Sequence, residues 1–265
     1  MTHIAILGLG EAGRRYAVGL ASASPGAAVV GYDPFVTLAD PAFAAVATQE
    51  ADLHAALAEA DLVLSLTGAR AAAAVAAEAL PHLRPGAILA DLNTGSPELK
   101  ERISAEAAAA GVRFADAAVL APVPRAGHRT PLAASGTGAE AFAALMTPLG
   151  APVEVVGARA GDAARLKLLR SVFMKGLAAL VIEGLTAAAA QDAEPWLRAQ
   201  IAAELGPGGD ALVERLVTGT RAHAERREHE VRDALDVLES GGLPADMTRA
   251  TLAWFERILA EHPAP

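Results

Sequence analysis

The stretch "HIAILGLGEAGRRYAVGLAS", residues 3–22, limits the possible folds more than any other part of the chain. A short apolar run leads into Gly8, Leu9, Gly10, Glu11, Ala12 and Gly13, and the residues after it read as a helix. Strand, Gly-x-Gly-x-x-Gly and helix make one unit, and each glycine in it has its own physical task. Gly8 permits the tight turn, Gly10 lets the backbone approach a pyrophosphate, and Gly13 lets the helix lie close to the strand. The first N–H groups of that helix have no intrahelical partners, so they face the same anion. A dinucleotide on residues 8–13 is the expectation. The next apolar run ends at Asp33, twenty residues past Gly13. A carboxylate there accepts hydrogen bonds from the adenosine ribose and repels a 2′-phosphate, so NAD is expected in preference to NADP.

The same alternation continues downstream. "DLVLSLT" (61–67), "GAILADLNT" (86–94), "VRFADAAVL" (112–120), "PLAASG" (131–136) and "PVEVVG" (152–157) read as strands. A turn is expected at Pro25–Gly26, a helix over 69–83 that stops at Pro81, and a helix after Ser96 as N-cap with Pro97 at N1. The strands are continuous apolar runs, the pattern of a parallel sheet covered on both faces. After Gly161 no stretch reads as a strand: 196–205, 211–242 and 244–262 are helical. The expected fold class is therefore α/β, a Rossmann-type doubly wound parallel sheet over residues 1–158, followed by an all-α C-terminal domain over 159–265.

Composition narrows the function. Hydrophobic residues make up 53% and charged residues 20%, enough for a large core. A net charge of −9 argues against a nucleic-acid backbone as the main partner. With no cysteine, disulfides, thiolate nucleophiles and cysteine-based zinc sites are excluded. His223 and His229 are six apart, which does not share a helical face, and no metal site is expected. "MTHIAILGLG" has no basic segment of a signal peptide, and Glu, Arg, Pro or Gly interrupts every long Ala-rich run. No membrane span is expected, and a cytoplasmic location is.

One helix poses a question. In "GDAARLKLLRSVFMKGLAAL", residues 161–180, apolar residues cover most of the circumference, yet Lys167, Ser171 and Lys175 fall four apart on one face. Burying an unpaired ammonium is costly. Two on a mostly apolar helix call for a purpose. At the far ends of strands, where ligands bind in doubly wound sheets, lie Thr67 and the pair Asn93 and Thr94.

"GLGEAG" (8–13), "ADLNTGSP" (90–97), "DAAVLAPV" (116–123) and "GDAARLKLLRS" (161–171) lie in an order that resembles the β-hydroxyacid dehydrogenase superfamily, which includes 3-hydroxyisobutyrate and 6-phosphogluconate dehydrogenases. The resemblance covers nearly the whole chain. "LKLLRSVFMKGLAAL" together with "HAERREHE" resembles a phosphogluconate-dehydrogenase-like branch of it. Two positions depart from the hydroxyacid enzymes. Leu120, Ala121 and Pro122 stand where those enzymes hold the substrate carboxylate with Ser-Gly-Gly, and Ser171 stands where they have Asn.

The resemblance implies an NAD(P)-dependent oxidoreductase. Hydride would pass between nicotinamide and a small, anionic, β-hydroxyacid-like alcohol or carbonyl. Lys167 falls on the catalytic lysine and is the expected general acid/base, with Ser171 beside it. Partial burial and a second cation, Lys175 or Arg170, would lower its pKa to suit that task. Substrate contacts are expected from Lys175, Asn93, Thr94, Ala121 and Pro122, and cofactor contacts from residues 8–13, Asp33, Thr67 and Asn93. The helical domain is expected to pair into a homodimer. Arg227, which shares a helical face with His223 and Glu230, is expected to reach the neighbouring site. The alternatives are an imine reductase on this scaffold, which Lys167 speaks against, and a non-catalytic dinucleotide-binding regulator.

Overall fold

Each central strand has apolar side chains on both faces, so the sheet is sandwiched between two cores. The computed structural model describes residues 2–24, 26–36 and 40–261. The turn expected at Pro25–Gly26 and the helix end expected at His262 involve residues outside that set. Strands β1 (His3–Leu7), β2 (Ala28–Tyr32), β3 (Thr48–Glu50), β4 (Leu62–Ser65), β5 (Ile88–Asp91), β6 (Arg113–Val119), β7 (Leu132–Ser135) and β8 (Val153–Gly157) form one sheet in the order β3-β2-β1-β4-β5-β6-β7-β8. Alternate residues point to opposite faces. Ile4, Ile6, Leu62, Leu64, Ile88 and Ala90 join one core with Tyr16, Leu20, Phe142 and Met146. Ala5, Leu7, Val63 and Leu89 join the other with Leu57, Ala76 and Ile103.

The helices of this half are α1 (Glu11–Ala23), α2 (Pro41–Ala44), α3 (Leu53–Leu57), α4 (Ala72–Ala79), α5 (Pro97–Ala109) and α6 (Ala139–Met146). Ser96 Oγ accepts the N–H of Leu99 at 3.3 Å and Pro97 opens α5. Pro81 does not stop the chain's turning: α4 ends at Ala79 and a 3₁₀ turn, Leu80–His82, carries Pro81. The sheet is parallel except between β6 and β7, which pair antiparallel from Asp116↔Ser135 to Val119↔Leu132. The expected doubly wound sheet is thus parallel-dominated, with one antiparallel pair. The connection there contains only two 3₁₀ turns, Val123–Arg125 and Gly127–Arg129. A parallel return needs a long crossover, usually a helix. The edge strand β3, with the sequence TQE, carries no apolar pattern to read.

The chain divides into compact units at Met1–Lys167 and Leu168–Pro265. The division falls inside α7 (Asp162–Ala189) rather than at 158/159, because the first turn of α7 is bonded to the sheet. Asp116 Oδ2 on β6 accepts the N–H groups of Gly161 (3.1 Å) and Ala164 (2.9 Å). Ser135 Oγ on β7 accepts that of Ala163 (3.0 Å). These two side chains act as a remote N-cap for the long helix.

In the second unit, α8 (Glu194–Glu204), α9 (Gly209–Ala222), α10 (Ala224–Ser240) and α11 (Asp246–Glu261) accompany the rest of α7. Ala178, Val181, Ile182 and Leu185 of α7 pack with Val213, Leu216 and Ile258. The run 211–242, read as helical, is two helices, α9 and α10, that meet at His223 (φ −132°, ψ 32°). The expectation of no candidate span also needs correcting: by length and composition alone, α7 is long and apolar enough to cross a bilayer. Two of its charged side chains have partners inside the second unit. Lys175 pairs with Glu230, and Trp254 Nε1 donates to Glu183. One side of α7 exposes Leu166, Leu169, Phe173 and Leu180.

Candidate active site

The glycine turn has a different steric demand at each glycine. Gly8 has φ +90°, and a Cβ there would lie 2.6 Å from Leu66 O in the loop after β4. A Cβ on Gly13 would lie 1.8 Å from Gly8 O, so α1 packs directly on the turn. Around Gly10 nothing lies within 4 Å of an added Cβ. No side chain caps α1 at Gly10, and Glu11 and Ala12 begin the helix. Asp33 ties the turn to the end of β2: its Oδ2 accepts Leu9 N–H at 2.8 Å and its Oδ1 accepts Phe35 N–H at 2.9 Å. The Leu9 side chain is buried against Gly31, so only its backbone belongs to the turn. Thr67 Oγ1 is buried with no hydrogen-bond partner among the described residues. Open space over Gly10, an uncapped helix N-terminus and an unused buried hydroxyl nearby in the β4 loop are what a bound dinucleotide requires. The residues fit that cofactor.

The loops after β4 and β5 are locked to each other. Asn93 Oδ1 accepts Gly68 N–H at 2.7 Å, and its Nδ2 donates to Ser65 Oγ (2.9 Å) and Asp91 Oδ1 (2.6 Å). Both ends of the Asn93 amide are thus engaged, and the residue is 7% exposed. Its neighbour Thr94 accepts a hydrogen bond at Oγ1 from Lys167 Nζ, 2.9 Å away across 73 residues of sequence. Lys167 reaches this loop because Asp116 and Ser135 hold the first turn of α7.

Beneath lies a group that sequence reasoning missed. Asp91 and Asp116 are direct neighbours in the β5–β6 pairing, both buried. Like charges side by side on adjacent strands repel. Lys100 from α5, 1% exposed, offsets them: its Nζ lies 2.9 Å from Asp91 Oδ2 and 3.4 Å from Asp116 Oδ1. The second contact lacks hydrogen-bond alignment, so Asp116 Oδ1 accepts from no donor among the described residues. One sequence signal was available. Of 22 basic residues only Lys100, Lys167 and Lys175 are lysines, and none of the three is a surface residue.

Ser171 is buried, one turn beyond Lys167 on α7. Lys175 is paired within the second unit to Glu230 at 2.6 Å. Burial lowers the Lys175 pKa; Glu230 opposes the shift and Arg227 and Arg226 reinforce it. Arg227 Nη1 donates to Thr220 Oγ1 at 2.7 Å, and burial lowers its pKa too. His223 is the N-cap of α10, and its carbonyl accepts Arg227 N–H at 3.0 Å. Ala121 is half-buried and Pro122 exposed, in the connection between β6 and β7. Among the described residues no group of three or more His, Cys, Asp or Glu is placed to hold a metal.

Comparison with known proteins fits this geometry. Residues 3–157, more than half of the chain, match the family described as the NAD binding domain of 6-phosphogluconate dehydrogenase. Residues 188–258 match a domain of unknown function (DUF1932). A conserved hypothetical protein from Sinorhizobium meliloti 1021 is 34% identical, with a TM-score of 0.74 over 97% of this chain and 88% of that one. The conserved protein MTH1747, described as structurally similar to 3-hydroxyacid dehydrogenases, is 27% identical, with a TM-score of 0.75 over 97% of both chains. The 3-hydroxyisobutyrate dehydrogenase of Mycobacterium tuberculosis, at 21% identity, shares the fold with a TM-score of 0.80 over 99% of this chain and 95% of that one. An uncharacterized 28.5 kDa protein of Methanothermus fervidus is 28% identical over 64% of this chain; the match spans 66% of that protein, just under two thirds of its length. With a nicotinamide-dinucleotide-binding domain at residues 3–157 and this fold throughout, the chain belongs to the β-hydroxyacid dehydrogenase superfamily.

Proposed function

We propose that the protein is an NAD(P)-dependent dehydrogenase or reductase that interconverts an alcohol and a carbonyl on a small, anionic, β-hydroxyacid-like substrate. The observation that carries this reading is the 2.9 Å hydrogen bond from Lys167 Nζ to Thr94 Oγ1. It holds an amine at the carboxyl edge of the sheet, the edge from which the glycine turn and Thr67 also leave. When bound, the nicotinamide gives or takes the hydride. The chain's own residues must then move one proton at the substrate oxygen. Lys167 is the group for that step: as an amine it takes the hydroxyl proton during oxidation, and as an ammonium it returns one during reduction. Thr94 fixes where Nζ points, which is worth most when the reacting atoms must align within a few tenths of an ångström. Ser171, one turn on, is a second hydrogen-bonding group for the substrate oxygen.

The cofactor is held by the turn of Gly8, Gly10 and Gly13, with Asp33 toward the ribose and favouring NAD. For the substrate's anionic group the candidates are Lys175 and Arg227. An anion on Lys175 must compete with Glu230, so binding there is coupled to opening a half-buried ion pair. A second copy of the chain is the proposed partner, docking on the exposed Leu166, Leu169, Phe173 and Leu180 of α7, whose spacing follows one helical stripe.

Reduction of NAD⁺ by the purified protein, followed with a panel of β-hydroxyacids and their sulfonate and phosphonate analogues, tests this reading. Turnover of at least one anionic alcohol, with none for its neutral ester, is the expected result. Tight NADH binding with turnover of no alcohol, and of imines instead, would replace it with the reductase alternative.

A further inference from the structure

Lys100 plays no part in the proton or hydride transfer proposed above, yet it is the most deeply buried of the three lysines. Its Nζ donates to Asp91 Oδ2 (2.9 Å), Asp91 O (3.1 Å) and Asn93 O (2.8 Å). Three hydrogen bonds exhaust an ammonium. Two of these acceptors are backbone carbonyls of the segment that leads into Thr94. The remaining contact, at 3.4 Å, goes to Asp116 Oδ1. The other oxygen of Asp116 accepts Gly161 and Ala164 N–H, the first turn of α7. One ammonium therefore touches both pieces that must meet for Lys167 to reach Thr94.

Distance along the helix makes the link tight. Lys167 is three residues beyond Ala164, so a slip of the first turn reaches Lys167 almost undiminished. The charges close in the same place. Two carboxylates and one ammonium leave one negative charge, which the N-terminal dipole of α7 and the two N–H groups bonded to Asp116 offset. A buried ion cluster adds little stability on balance, because desolvation cancels much of its attraction. What such a cluster fixes is direction, since each donor must meet its own acceptor.

We propose that Lys100 is a positioning residue that sets the Thr94 loop and the first turn of α7 in register, so that Lys167 Nζ meets Thr94 Oγ1. The proposal rests on Lys167 as the acid/base, but its test reads geometry rather than turnover. The chain has only three lysines, so ¹⁵N-lysine labelling of the full protein gives three side-chain signals. Thr94→Val, which deletes the hydrogen bond outright, calibrates the Lys167 signal. The test variants are Lys100→Met/Asp91→Asn, which removes one charge of each sign, and the isosteric Asp116→Asn. In both, hydrogen exchange at Lys167 Nζ is expected to quicken by about tenfold, the loss of one hydrogen bond, toward the rate in Thr94→Val. The Lys175 signal, held by Glu230, stays put. A merely structural role would lower the melting temperature without moving Lys167 relative to Lys175. An unchanged Lys167 signal, equal changes at Lys167 and Lys175, or failure of both variants to fold would overturn the proposal. Turnover retained by Lys167→Ala, beside a shifted Lys167 signal in the Lys100 variant, would instead sink the acid/base role and leave the positioning intact.

Discussion

Gly10 and Gly13 are three residues apart in one turn, yet alanine is expected to do opposite things at the two positions. At Gly13 the new Cβ would sit 1.8 Å from Gly8 O, and the contact must open to at least 3.0 Å. The atom in the way is backbone, so α1 itself has to move. Overpacking of that kind costs about 1–3 kcal/mol. The gain in helix propensity returns roughly 1 kcal/mol at most. Gly13→Ala should therefore lower stability whether or not cofactor is present. At Gly10 nothing lies within 4 Å, and the backbone (φ −63°, ψ −167°) suits any residue. The apoprotein should be unchanged, or more stable by roughly 0.4–1 kcal/mol through the unfolded chain. The methyl group would instead occupy the space through which a pyrophosphate approaches. Displacing the phosphate should cost about 1–3 kcal/mol, or about 5- to 150-fold in Kd. Urea denaturation of the apoproteins, paired with titration of NADH fluorescence, measures both quantities. NADH binding by Gly10→Ala as tight as wild type would refute the assigned approach path.

Other predictions follow from single contacts. Asp33→Asn keeps an acceptor for Leu9 N–H and removes the charge; the ratio of NADPH to NADH affinity should rise at least about fivefold, roughly 1 kcal/mol of relieved repulsion, and an unchanged ratio would show that Asp33 does not face the ribose. His128 packs its ring into the space left by Gly19, and its Nε2 lies 3.0 Å from Leu149 O. Burial lowers its pKa below 6.5, the Leu149 carbonyl opposes that, and Arg129 adds to it. The unfolded chain then takes the proton first, so stability should fall as pH drops below 6.5, by less than about 1.4 kcal/mol per pH unit. His128→Asn should flatten that slope in urea melts, and an identical slope would contradict the assignment. Sedimentation should find a dimer that Phe173→Asp/Leu180→Asp turns into monomer; a wild-type monomer at micromolar concentration would remove the proposed partner.

Local backbone physics could be read from the sequence, and tertiary routing could not. The tasks of Gly8 and Gly13 follow from sterics within one turn, and the clashes at both positions are what those tasks require. Ser96 and Pro97 likewise announce α5 through contacts within a single turn. The antiparallel β6–β7 pair depends instead on how residues 120–131 cross the sheet edge, and apolar strands look alike in either direction. The break at His223 has no glycine or proline to mark it. Lys100 lies in "PELKERISAEAAA", where a lysine among glutamates reads as a solvated face. Its burial follows only once β5–β6 pairing has put Asp91 beside Asp116. Lys167 and Thr94, 73 residues apart, were each singled out by sequence, but their hydrogen bond required the remote capping of α7.

The central claim is that Lys167 moves the proton, and the most direct test is Lys167→Ala assayed for both cofactor affinity and turnover. NADH should bind the variant within about threefold of wild type, since the glycine turn is untouched. Turnover of the best substrate should fall by about 10²–10⁴-fold, the usual worth of a positioned acid/base. Wild-type kcat in a variant that still binds NADH would contradict the account.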